Sequence, residues 1–227
     1  MKNYIYILFV LCTYPAQAWA QETDVLVWKA HLGIQGSQIQ GKDINYVFDE
    51  ATVKPLYRFH LGLSLTQPVT KHWHVVHELY FHARGAKVSM LDSLSARVAT
   101  EMQLYYIDVM PISLAYRQQG IQISTGPYLS SLLDAKLKNG SSTKFGENGL
   151  YGNGSVGEGQ YKMMQKIDWG WQFGAEFKLG SGWFIATKYM LGLQDIFQNA
   201  NAYDLNEQRG KIRLYSRAFL VNLSYSL

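Results

Sequence analysis

From Ile167 to Leu179 the chain alternates without a break. Ile167, Trp169, Trp171, Phe173, Ala175, Phe177 and Leu179 occupy one parity; Asp168, Gly170, Gln172, Gly174, Glu176 and Lys178 occupy the other. A period of two residues puts these sets on opposite faces of a β-strand. The pattern recurs in Leu26–Ile34, Tyr57–Leu65 and Phe219–Leu227. Eight such segments are expected, near 25–36, 55–66, 73–84, 102–116, 120–130, 165–179, 183–194 and 211–226. Their apolar faces are too bulky for the inside of a small barrel, because four large aromatic residues come from one strand alone. Lipid accommodates them. A sheet in lipid must pair every backbone polar group, so it has to close on itself. The expected fold is all-β: a single eight-stranded antiparallel up-and-down transmembrane β-barrel, with ten strands as the alternative count.

The connections follow the same logic. Regions 67–72, 117–119 and 180–182 are short, whereas 37–54, 85–101, 131–164 and 195–210 are long. Strict alternation of short turns and long loops is an outer-membrane pattern. It predicts a bacterial outer-membrane location with both termini periplasmic and the four long loops outside. Strand four contains Pro111, which cannot donate to a ladder. Its apolar positions switch from odd (Tyr105, Ile107, Val109) to even (Ile112, Leu114, Tyr116), which predicts a bulge at Met110-Pro111.

Residues 1–20 read as a cleaved signal peptide: Lys2, an apolar run from Tyr4 to Cys12, and an Ala18-Trp19-Ala20 cleavage site. The apolar run is too short to span a bilayer as a helix. The barrel domain is then 21–227, beginning at Gln21. Cys12 is the single cysteine and leaves with the signal, so no disulfide or thiol chemistry is expected. Hydrophobic residues make up 48% of the 227 and charged residues 17%, which excludes a disordered chain. A net charge of +4 with no Lys/Arg run gives no basis for nucleic-acid binding.

Four stretches resemble the PorT-like outer-membrane β-barrel domain family, often labelled porin family protein. They are Glu78-Leu79-Tyr80 with Gly85-Ala86-Lys87; Tyr106-Ile107-Asp108-Val109-Met110-Pro111; Gly126-Pro127-Tyr128-Leu129; and Asp168-Trp169-Gly170 with Gly174 and Tyr189–Ile196. They occur in the family's order across most of the mature chain. One extra residue separates Asp108 from Pro111, as the bulge requires. The resemblance implies the fold and the location, and no activity.

The candidate site is a lumen polar network of Lys29, Arg58, His60, Glu78, Asp108, Asp168, Glu176 and Lys188. Ionisable groups at membrane depth are costly unless they face inward and pair. Arg58 and Glu78, on neighbouring strands, are the expected pair. His72, His74 and His82 leave metal binding open, and His77 falls on the lipid face without an explanation beyond a local bulge. Ser64 and His60 share a strand face with Glu78 next door, the best available hydrolytic triad. Chance composition accounts for it equally well. The glycine-rich stretch 145–160 lacks a phosphate-loop motif.

The expected function is therefore a non-enzymatic barrel with no cofactor. It acts through its outer loops in surface contact, adhesion or envelope scaffolding. The alternatives are a lipid-modifying enzyme and a narrow channel. The expected partners are outer-membrane lipid and an extracellular or envelope protein, with the barrel itself a monomer.

Overall fold

The alternating segments become strands because lipid offers nothing else to pair their backbones. In the computed structural model, residues 26–44, 53–91, 97–139, 141–144, 165–197, 201–204, 207–211 and 213–227 are described. The expected signal segment 1–20, the start at Gln21 and the stretch 145–160 lie outside them. The long strands are β1 (Val27–Gln40), β2 (Lys54–Pro68), β3 (Trp73–Leu91), β4 (Arg97–Gln118) and β5 (Ile121–Asn139). After the short β6 (Ser141–Lys144) come β7 (Ile167–Gly180) and β8 (Trp183–Asp195). The short β9 (Asn201–Asp204) and β10 (Glu207–Lys211) precede the last strand, β11 (Tyr215–Ser226).

The ring runs β1-β2-β3-β4-β5-β7-β8-β11 and returns to β1, each strand antiparallel to its neighbours. Among the described residues β6 pairs with Lys136–Asn139 of β5, and β9 and β10 pair with each other. The closed barrel therefore has eight strands, not ten.

Both two-residue turns follow from their chemistry. Gln119-Gly120 and Ser181-Gly182 carry positive φ at both positions (49° and 82°; 42° and 83°). That conformation matches the right-handed twist of the flanking strands, and glycine at the second position adopts it without strain. Both turns lie at one end of the barrel, together with the first residues of β1 and the last of β11. Around this rim Trp73 meets Tyr116 edge-on at 5.1 Å and Trp183 packs on Tyr225 at 4.9 Å. Amphipathic rings of this kind suit the membrane–water interface.

The apolar parity points outward. Leu32, Ile34, Phe59, Leu61, Ile123, Trp169, Phe173, Phe219 and Leu223 are exposed, whereas Lys29, His31, Glu78, Asp108, Gln172 and Asn222 are buried. The β4 bulge is present. The β3–β4 register shifts between Val76 and Glu78, and the β4–β5 register shifts between Val109 and Leu114. The bulge also accounts for His77, whose Nδ1 bonds the carbonyl oxygen of Pro111.

Three expected loops are shorter than their ranges. Strand β3 pairs with β4 as far as Leu91 opposite Arg97, so most of 85–101 is ladder, with 92–96 between the strands. Strand β5 runs to Asn139, and β1 and β2 reach Gln40 and Lys54. The outward-apolar pattern stops before the strands do. Beyond the lipid both faces meet water, and the pattern inverts. Ala86, Val88, Met102 and Leu104 point inward and are buried with Ile39, Ile44, Phe197 and Leu214. The loop end of the barrel thus has the apolar core of a soluble protein, formed by the hydrophobic effect that the lipid-embedded belt lacks.

Candidate functional site

The lumen is stacked in layers. Nearest the turns, Lys29 on β1 pairs with Glu176 on β7, and its ammonium lies 4.0 Å from the centre of the Phe184 ring. Above it, Lys188 on β8 pairs with Glu78 on β3, which also accepts from the Tyr80 hydroxyl at 3.4 Å. His31 bridges two strands, with Nδ1 2.6 Å from Ser224 Oγ and Nε2 2.8 Å from Ser64 Oγ. His60 Nε2 contacts Asn222 Oδ1.

The third layer is built on Arg84 of β3. Its guanidinium donates to Asp168 at 2.8 Å, to Asp108 at 3.0 Å and to Ser130 Oγ. It lies 4.2 Å from the centre of the Tyr106 ring and 5.4 Å from that of Tyr128. Arg84 is fully enclosed, at 0% exposure. A planar fork of five donors suits such a position: it serves two carboxylates and stacks on aromatic faces. His82 Nε2 faces Asp108 Oδ2, and His82 Nδ1 faces Gln35 Oε1. Gln35 donates its amide to Ala83 O, which fixes the direction of its oxygen. Arg84 thus bridges two carboxylates, whereas each of the two lower ammonium groups has one carboxylate of its own.

Two tyrosines fill what remains. Tyr80 lies opposite Gly62 and Tyr128 opposite Gly170 in their ladders. A Cβ on Gly62 would stand 2.4 Å from Tyr80 Cδ1, and one on Gly170 would stand 2.8 Å from Tyr128 Cε1. The missing side chains are the space the rings occupy.

Seven members of the expected network, Lys29, His60, Glu78, Asp108, Asp168, Glu176 and Lys188, are buried in the lumen. Arg58 is different. Its side chain is 31% exposed and pairs with Glu101 at 2.5 Å, so the expected Arg58–Glu78 contact does not form. A one-residue register shift between Pro55 and His60 flanks it. Such a shift bends the strand and re-aims a side chain. Arg84 was absent from the expected set although it shares the parity of Glu78, Tyr80 and His82. It is the last residue of the expected strand 73–84, so the parity count carried to the strand's end reaches it.

The candidate triad does not assemble: Ser64 contacts His31, His60 contacts Asn222 and Glu78 contacts Lys188. The three open metal candidates are also separated. His82 is in the Arg84 layer, whereas His72 and His74 are at the turn end, with their Nδ1 atoms 3.2 Å from Arg117 O and His72 O. Among the described residues no group of three or more His, Cys, Asp or Glu could hold a metal ion.

No curated protein matches the sequence. Among solved structures, the chain is similar to Neisserial surface protein A at 11% identity, with 90% of this chain and 100% of that one covered and a TM-score of 0.47. It is similar to Ail, the attachment invasion locus protein of Yersinia pestis, at 11% identity, 88% and 98% coverage and a TM-score of 0.44. For OprG from Pseudomonas aeruginosa the values are 13%, 89%, 95% and 0.42. A family model described as outer membrane protein beta-barrel domain matches residues 19–198. The closed ring, the lipid-facing apolar belt and this match agree: the chain belongs to the outer-membrane β-barrel domain family of Gram-negative bacteria.

Proposed function

We propose that this protein is a closed, non-catalytic outer-membrane barrel that acts through the surface of its loop end, in surface contact, adhesion or envelope scaffolding. One observation carries the reading: the lumen is filled by its own side chains. Arg84, Tyr80, Tyr106 and Tyr128 are each below 2% exposure, and an apolar layer caps them at the loop end. Eight strands leave an interior about wide enough for side chains, whereas aqueous channels need roughly 16–18. The separate partners of Ser64, His60 and Glu78 argue against acyl hydrolysis. On the order of its four sequence motifs the chain is assigned to the PorT-like branch of the family. The turn end, which carries both barrel termini, is assigned to the periplasm and the loop end to the exterior. A monomer in outer-membrane lipid is expected, because a closed ring leaves no sheet edge for a second copy.

Single-channel recording of the purified barrel in a planar bilayer tests the proposal. The expected record is flat. Stable, ion-selective steps would move the function to transport.

A further inference from the structure

The turn end of the barrel holds a recess of about 520 Å³ whose wall is basic. It lies below the Lys29–Glu176 layer, outside the plugged part of the lumen. Lys71 and His72 come from the β2–β3 turn, His74 from the start of β3, Arg117 and Gln118 from the end of β4, and Thr66 from the end of β2. Among the described residues no Asp or Glu lines it. Among the described residues no carboxylate pairs with Lys71 or Arg117, whereas the buried lysines of the lumen, Lys29 and Lys188, each have a carboxylate.

The wall is held in place. The Arg117 backbone N–H donates to His72 O at 2.8 Å, which joins the β2–β3 turn to the end of β4. The Arg117 guanidinium is held by Gln122 Oε1 through Nε at 3.0 Å and Nη2 at 2.5 Å. His72 packs against the interfacial Tyr116 ring at 5.7 Å. The second observation is Thr66. It is 2% exposed, and its buried hydroxyl oxygen has no hydrogen-bond partner among the described residues. A buried hydroxyl without a partner is costly in a protein wall, and a ligand oxygen placed beside it removes that cost.

We infer that this recess is a phosphate-binding site. Two cations, an amide and a hydroxyl converge from three strand ends, and the His72 and His74 rings, whose Nδ1–H groups donate to the carbonyls of Arg117 and His72, complete the wall. That donor set exceeds what the two oxygens of a carboxylate use and fits the oxygens of a phosphate group. Arg serves such a group as a fork and Lys as a point charge. The recess adjoins the aromatic rim, since His72 in its wall packs on Tyr116. The phosphate can therefore belong to a phospholipid headgroup of the adjoining leaflet or to a soluble phosphate compound.

The test uses the purified barrel in a phosphate-free nonionic detergent. Calorimetric titration with inorganic phosphate is one arm. Native mass spectrometry after mixing with phosphatidylglycerol is the other, with acetate as the carboxylate control. Binding in either arm is expected to weaken about tenfold or more in the Lys71→Ala/Arg117→Gln double variant. A smaller loss of about threefold is expected in Thr66→Val, which keeps the shape and removes the hydroxyl. Folding of each variant is checked by its heat-dependent gel mobility, and Thr66→Val supplies the reading if the double variant does not fold. Binding in the lipid arm alone names a headgroup as the source, and binding in the phosphate arm alone names a soluble compound. No binding in either arm, binding unchanged in the variants, or acetate bound as tightly as phosphate overturns the inference.

Discussion

Glu78 and Lys188 form an ion pair across the full width of the barrel. They belong to β3 and β8, four steps apart in either direction around the eight-strand ring, so they come from opposite walls. Each side chain reaches the lumen centre, and each is buried. Taking away one partner leaves the other charge enclosed with nothing to neutralise it. Glu78→Ala is therefore expected to destabilise the barrel by roughly 3–5 kcal/mol, measured by urea unfolding in lipid vesicles. The double variant Glu78→Leu/Lys188→Met is expected to recover most of that loss, since an apolar pair of similar volume needs no neutralisation. A single variant as stable as the wild type would mean that water reaches the pair.

Arg84 is the position where loss is expected to be greatest. Arg84→Met would leave Asp108 and Asp168 facing each other without their shared cation, and both are at 1% exposure or less. The expectation is failure to reach the fast-migrating folded form on an unboiled gel. Arg84→Lys is expected to rescue little, because a point charge does not span two carboxylates, a serine and two rings. Wild-type mobility of Arg84→Met would show that the carboxylates neutralise themselves by taking up protons.

The bulge in β4 makes a separate prediction on the lipid side. His77 supplies a donor to the Pro111 carbonyl on the lipid-facing side of the barrel. His77→Leu keeps an apolar surface and removes the donor, so it is expected to cost about 1–3 kcal/mol of unfolding free energy. Leu79→Ala, on the same outward face, makes no such bond and is expected to cost less. Equal losses would remove the argument.

Tyr128 and Gly170 predict a steric effect. A Cβ at position 170 would lie 2.1 Å from Leu191 O as well as against the tyrosine ring. Gly170→Ala is expected to destabilise by about 1–3 kcal/mol through overpacking. Combining it with Tyr128→Phe, which removes only the hydroxyl, should not relieve the clash. Combining it with Tyr128→Leu should relieve the part of it that comes from the ring.

Much of the fold was legible because lipid imposes one rule on the sequence. Each strand that crosses it must show apolar residues at every second position, so Trp169 and Phe173 declare their face, and Asp168 and Gln172 declare the other. The parity switch across Met110-Pro111 marked the bulge because an inserted residue flips every later side chain. Strand ends were less visible. The rule stops where the lipid stops, and Val88 and Met102 turn inward in a ladder that continues into water.

The sequence by itself determined that the sheet closes in lipid and which face most lumen residues take; eight rather than ten strands was decided by the pairing around the ring. It did not determine who meets whom. Parity is a local property, whereas a contact across the lumen depends on the stagger accumulated around the ring and on each bulge in it. Strand order points Glu78 to its neighbour Arg58, yet it meets Lys188 from the opposite wall, and Arg58 turns to Glu101 beside the shifted register of β2. Only the closed structure decides those distances, because closure is what brings strands distant in sequence within reach of one another.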